Sequence, residues 1–206
     1  GDGWLACLIA ALVSERDILS GAGQSADINL RLRLLTTGNA NADETSRIRR
    51  LHAVAADIAR QAGIKPETGS SFQHAGSLLA LAYPDRVAQR RTGSVPRYLL
   101  SNGRGAKLDD ADPLGASAWL AVAELDGDAR EARIFLAAAL DEAELRQTFA
   151  TQIETREVIA WDETSEAIDA AQETRFGAIV LARRPLMEPD PARVSGLLLA
   201  AIRRHG

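Results

Sequence analysis

The sequence predicts an α+β chain in three parts: a helical bundle over residues 1–92, a small β domain over residues 93–186, and a helix over residues 187–206. Two observations lead there. Up to Arg91 the apolar residues recur at three- and four-residue spacing, the period of a helix that buries one face. Beyond Arg91 the apolar residues come in short runs divided by Asn-Gly and Asp-Gly turns, the texture of strands.

The helices follow from that first pattern. Trp4–Leu19 carries Leu5, Leu8, Ile9, Leu12 and Val13 on one stripe, and Gly21 and Gly23 are expected to end it. Asp27 is a candidate cap for a helix over Ile28–Leu35 that buries Leu30, Leu34 and Leu35. Asn39–Asn41 reads as a loop. Asp43 or Thr45 then caps a third helix to about Ala62, stopped at Gly63, with Ile48, Leu51, Val54, Ala55, Ile58 and Ala59 inward. Pro66–Ser70 is a turn region. One more helix is expected from Ser71 or Gly76 to Arg90, and Pro84 inside it must kink or restart it because proline has no N–H to donate.

The second half reads as strands at 97–100, 105–108, 119–125, 132–140, 155–161 and 174–181. The turns fall at Asn102-Gly103, Asp109–Pro113, Asp126-Gly127-Asp128 and Asp162–Ser165. Asp141 caps a short inserted helix with Glu144 three residues on, the spacing of a capping box. Several short strands around a small core point to a small barrel of the oligonucleotide-binding type. From Asp190 a final helix shows Val194, Leu197, Leu198, Ala201 and Ile202 as one apolar stripe. It is expected to pack on a region beyond the chain, as part of a larger protein.

Composition narrows the function classes. Hydrophobic residues are 46% and aromatics only 4%, so the core must rest on Leu, Ala, Ile and Val. No apolar run approaches the length of a membrane span, and no basic start or cleavage site marks a secretory leader. The single cysteine, Cys7, allows no internal disulfide, fits a reducing, cytoplasmic setting, and reads as a buried small apolar residue. Together with three scattered histidines it argues against a structural zinc site. Net charge is -4, divided as +3 over residues 1–103 and -7 over residues 104–206. That balance argues against a wholesale nucleic-acid coat and leaves room for a local basic patch.

The order of pieces carries a resemblance. LLALAYPDRVAQRR (78–91), YLLSNGRGA (98–106) and WLAVAEL (119–125) follow a helical region containing SERDIL (14–19), and residues 132–149 and 155–186 continue the likeness. The sequence resembles the region downstream of the motor in DEAH-type ATP-dependent helicases, closest to the bacterial HrpB helicases. Tyr83-Pro84-Asp85-Arg86 and Asn102-Gly103-Arg104-Gly105 are its most specific parts. The resemblance implies a parent with two RecA-like domains and a winged helix ahead of this region, and ATP and magnesium held in those domains. It also implies that residues 1–92 are the later part of a ratchet-like bundle. Within this chain no Gly-x-x-x-x-Gly-Lys-[Ser/Thr] loop is present to cradle phosphates and no Asp-Glu-x-His motif to hold magnesium, so no catalysis is assigned to it.

Candidate binding residues concentrate where acids are missing. Between Asp85 and Asp109 stand Arg86, Arg90, Arg91, Arg97, Arg104 and Lys107 with no carboxylate among them. Guanidinium and ammonium groups pair with phosphate oxygens without reading bases. A solvated helix end and hairpin would show the same residues. Tyr98 is a candidate for stacking on a base, or a core residue beside Leu100. Arg49 and Arg50, with Arg47 and Arg60, decorate the third helix as a second basic face, and Arg16 and Arg31 are weaker candidates. Trp119 and Trp161 read as core or interface residues. His74 has no nucleophile or acid tied to it by spacing.

Two functions are therefore expected. In the first, the chain is a non-catalytic accessory part of an ATP-dependent helicase that guides single-stranded RNA or DNA by backbone contacts. In the second, it is a structural or protein-interaction module that braces the motor. The acidic second half and the apolar final helix favour the latter.

Overall fold

The computed structural model describes residues 2–15, 19, 25–37, 42–67, 71–128 and 130–205. The expected stops at Gly21 and Gly23, the loop at Asn39–Asn41, the end of the Pro66–Ser70 turn, and Arg16 lie outside those residues. The chain forms two compact units, Gly1–Thr148 and Phe149–Gly206. The boundaries expected after residues 92 and 186 do not coincide with this division.

In the first unit, α1 (Gly3–Ser14), α2 (Ile28–Thr37), α3 (Ala42–Ala62) and α4 (Ala75–Ala82) come first. α1 is apolar nearly all round, so Leu5, Leu8 and Leu12 are buried together with Trp4, Cys7 and Ile9 while it packs on α2, α3 and α4. Asp27 caps α2 as expected, its carboxylate accepting from the Asn29 N–H at 2.9 Å. The buried face of α2 differs from expectation: Ile28, Arg31, Leu32 and Leu35 are inside and Leu30 is exposed. The helix begins three residues from Ser25, so Arg31 turns inward to reach the carbonyl oxygens of Ser25 and Asp27. α3 buries Ile48, Leu51, Ala55 and Ala59 and ends where Ile64 donates back to the Ala59 carbonyl at 2.8 Å.

The expected helix to Arg90 stops early. Pro84–Arg86 forms one 3-10 turn, and Val87–Arg90 becomes strand β1. Ala, Gln and Arg suit a helix, but this segment is paired on both sides, and that pairing overrides local preference. β2 (Arg97–Leu100), β3 (Gly105–Lys107), β4 (Trp119–Leu125) and β5 (Glu131–Ala139) complete a closed barrel in the order β1-β2-β3-β5-β4. β3 and β5 run parallel, and the other neighbours are antiparallel. Tyr98, Leu100, Ala106, Leu120, Val122 and Ile134 fill its interior. The Asn102-Gly103 turn joins β2 to β3, with Gly103 at φ +89°, a region that glycine enters freely.

α4 lies directly on this barrel. A side chain at Gly76 would sit 2.1 Å from the Ala139 carbonyl oxygen, so only glycine permits the approach. α5 (Glu142–Thr148) follows β5 and is capped by Asp141, which accepts from the Ala143 and Glu144 N–H groups at 2.8 and 3.1 Å. Glu144 itself accepts from the Ser77 hydroxyl on α4.

The second unit holds β6 (Ile153–Asp162), β7 (Ala167–Phe176) and β8 (Ile179–Pro185) as an antiparallel meander, with α6 (Pro191–His205) packed on β6 and β7. The single strand expected at 174–181 is two strands. Gly177, at φ +55°, makes a two-residue turn with Ala178 between the paired Phe176 and Ile179. These three strands are a separate sheet and no part of the barrel, so the β domain expected over 93–186 is divided between the units. Among the described residues no helix is long and apolar enough to cross a membrane.

Candidate nucleic-acid interface

Side chains alternate between the two faces of a strand, so the barrel register decides which cations share a surface. On β2, Tyr98 and Leu100 point in and Arg97 and Leu99 point out. On β3, Ala106 points in and Lys107 out; on β5, Ala132 and Ile134 point in and Arg133 and Phe135 out. Arg97 is the cross-strand partner of Lys107, and Lys107 is the partner of Arg133. Three cations thus form one row across β2, β3 and β5. Arg91 joins its end, its N–H donating to the Arg97 carbonyl at 2.8 Å.

The row is partly neutralised. Glu131 lies 3.1 Å from Arg97 and 3.6 Å from Lys107, and Asp109 lies 3.5 Å from Arg133. All three cations remain exposed. Exposed pairs of this kind hold their partners weakly and exchange readily with water or another anion. A shallow depression of about 260 Å³ lies beside the row, lined by Lys107, Leu108, Asp109, Asp110 and Arg133.

The basic segment read from the sequence is divided by the fold. A four-residue strand followed by a hairpin carries successive arginines to alternate ends of the barrel. Arg86 stands at the start of β1 and donates to the Ala123 carbonyl at 2.6 Å, with its guanidinium 4.8 Å from the Tyr83 ring centre. Arg104 is at the same end, in the β2–β3 turn, where it donates to the Asp128 carbonyl. Asp128 in turn is held below the usual carboxylate range by the N–H groups of Glu131 and Arg130. Arg91, Arg97 and Lys107 lie toward the other end. Arg90 follows the inward register beside Tyr98, half-buried, and its Nε has no hydrogen-bond partner among the described residues.

Tyr98 is fully buried, and its hydroxyl donates to the carbonyls of Gly115 at 3.3 Å and Ser117 at 3.1 Å. Burial pushes its phenol up, with Arg90 opposing the shift. Its ring offers no face to a base, which corrects the stacking role considered for it. Arg31 is corrected likewise, since it is buried and committed to carbonyls.

On α3, Arg47, Arg49 and Arg50 are exposed, and Arg50 pairs with Glu15 at 3.0 Å; Arg60 pairs with Asp57 at 2.9 Å. Trp119 is buried with its indole N–H on Glu142 at 3.2 Å, and Trp161 is half-buried with its N–H on Glu163 at 3.1 Å. Cys7 is buried, as expected. His74 lies 3.1 Å from Asp2.

Sequence reasoning missed Arg133 and Phe135. They sit beyond the acid-free segment, beside Glu131, and only the parallel β3–β5 pairing brings them to the row. The alternation of ARIFLAAAL was the available signal, since it places Arg133 and Phe135 on one side.

Residues 152–186 match the family described as ATP-dependent RNA helicase HrpB, connector region, and these are the residues of β6, β7 and β8. The chain is 36% identical over 131 residues to the ATP-dependent RNA helicase HrpB of Escherichia coli K12, a match covering 63% of this chain and 16% of that protein. It superposes on a crystal structure of the E. coli DExH-box NTPase HrpB with a TM-score of 0.70 and 27% identity, covering 98% of this chain and 23% of the other. A second crystal structure, of the E. coli DEAH/RHA helicase HrpB, shares the fold with a TM-score of 0.64.

Proposed function

We propose that this HrpB-like chain is a non-catalytic accessory part of an ATP-dependent helicase, and that its barrel face guides single-stranded RNA or DNA through backbone contacts. The carrying observation is the row Arg97–Lys107–Arg133 across β2, β3 and β5. The barrel's strand order and its parallel β3–β5 pairing fit the oligonucleotide-binding type, in which the outer face around the second and third strands meets nucleic acid. Arg91 extends the row at the end of Arg97. Arg49 and Arg50 on α3, in a ratchet-like bundle, offer a second basic face.

In this reading ATP and magnesium belong to RecA-like domains of a cytoplasmic parent protein, with a winged helix as a further neighbour. The chain's own residues only hold phosphates by charge, so affinity does not depend on sequence and falls steeply with salt. A brace or protein-docking role is favoured by a different observation. α6 leaves Leu198, Leu199 and Ile202 exposed, an apolar stripe suited to a neighbouring domain or protein.

The two separate in one titration. Labelled single-stranded RNA and DNA are titrated with the chain by fluorescence anisotropy across a salt series. Arg97→Ala/Lys107→Ala/Arg133→Ala is run beside it, with Arg104→Ala, at the other end of the barrel, as control. Weak binding is expected, with a log–log salt slope that drops by about 0.7 for each phosphate contact removed and is little changed by the control. A folded wild-type chain that binds neither strand at low salt would leave the bracing role.

A further inference from the structure

We infer that Phe135 is a base-stacking residue, so that the outer face of β5 takes an unpaired base while the cations beside it hold the flanking phosphates. This rests on the barrel-face reading above and adds to it a site for the base itself.

Four phenylalanines are present in the chain. Phe149 and Phe176 are buried against each other, with ring centres 4.9 Å apart. Phe72 is half-buried. Phe135 alone of the four is exposed, at 46%. It has no polar atom to satisfy, so water gains nothing from the exposure. Single exposed apolar residues are common and mean little by themselves. The setting of Phe135 is what distinguishes it.

Arg133 lies two residues before it on the same face, about 6.6 Å along the strand. The Arg133 guanidinium carbon is 5.7 Å from the Phe135 ring centre. Lys107 stands opposite Arg133 on β3, and Arg97 continues the row. An aromatic face at the end of a line of cations is the combination that single-strand binders use: the cations track the backbone and the ring takes a base. Stacking tolerates any base, since each has a π-face, and it requires that face to be free of its own stack. A paired base within a duplex cannot meet it. The site therefore selects single strands by geometry, where phosphate contacts would accept either form.

The chain is titrated against two labelled oligonucleotides of about twelve positions, an oligothymidylate and an abasic strand with the same phosphates and no bases. Wild type is expected to bind the oligothymidylate on the order of tenfold more tightly than the abasic strand. Phe135→Leu keeps an apolar side chain there and is expected to bring the oligothymidylate down to the abasic level with the salt slope unchanged. Phe135→Trp is expected to retain the preference and to gain a fluorescence signal that the oligothymidylate quenches. Circular dichroism checks that each variant is folded. Equal wild-type binding of the two strands would overturn the stacking role and leave the phosphate row standing. Equal weakening of both by Phe135→Leu would overturn it as well, assigning the ring a structural part. Binding of neither strand by wild type would remove both readings.

Discussion

Arg97 and Lys107 stand opposite each other across β2 and β3 and converge on one carboxylate, Glu131. That acid competes with any phosphate for both cations. Glu131→Gln keeps the side chain's size and removes the charge. Single-strand affinity is expected to rise a few-fold at low salt, with the salt slope steepening by about 0.7 for each cation released to a phosphate. Stability should fall by no more than about 1 kcal/mol, because the pairs are exposed. Unchanged affinity in the anisotropy titration would take this face out of the nucleic-acid path.

Tyr98 separates fold from function in the opposite sense. Tyr98→Phe leaves the ring in the barrel and removes the hydroxyl that serves the carbonyls of Gly115 and Ser117. The loss is expected to be about 1 kcal/mol in urea denaturation, with single-strand affinity unaltered. A loss of affinity without a loss of stability would assign the hydroxyl to nucleic-acid contact and not to the barrel's own carbonyls.

Much of this was legible in the sequence, and the misses share a cause. Local signals placed the caps at Asp27 and Asp141 and the turn at Asn102-Gly103, because each depends on neighbours within four residues. Val87–Arg90 reads as helix in the sequence because its strand character comes from the pairing of Ala88 with Leu100 and of Gln89 with Trp119, twelve and thirty residues away. Ala167–Glu173 does not read as a strand, since Ala-Ile-Asp-Ala-Ala has little β preference; its long register with β6 holds it. The basic segment was recognised by composition, yet only the register shows that Lys107 belongs with Arg133 and not with Arg104.

The second unit carries a pH dependence of known sign. Glu173 is held below the usual carboxylate range, first by its hydrogen bond from Arg175 at 2.6 Å and then by Arg183 at 3.3 Å. A depressed folded pKa means stabilisation that is full above the unfolded value, about 4.3, and is lost as pH falls through the folded one. The protection of the β6–β8 amides, taken relative to the intrinsic exchange rate at each pH, should fall on acidification below that value. Glu173→Gln should exchange faster than wild type at pH 7, with the difference narrowing as pH falls. A difference independent of pH would show that packing, and not charge, is what Glu173 supplies.

Gly76 fixes the distance between α4 and the barrel. Gly76→Ala places a methyl group within 2.1 Å of the Ala139 carbonyl, a backbone atom that cannot turn aside. The cost is expected to be about 1–3 kcal/mol or more by chemical denaturation, although alanine is the better helix former. Gly127→Ala, with nothing near its added carbon, serves as the tolerant control. A stable Gly76→Ala variant would mean that α4 can slide on β5.

The place of β5 in the barrel also sets an order of events. It lies between β3 and β4, so the barrel has no closed form until residues through Ala139 are available. A chain emerging from the ribosome shows two bare strand edges, those of β3 and β4, throughout the synthesis of the intervening loop and β5 itself. Such edges invite pairing with other chains. Assembly that waits on a distant parallel partner is slow compared with helix formation. Truncation within β5 should therefore yield not a smaller barrel but an aggregating one, with α1–α4 already formed.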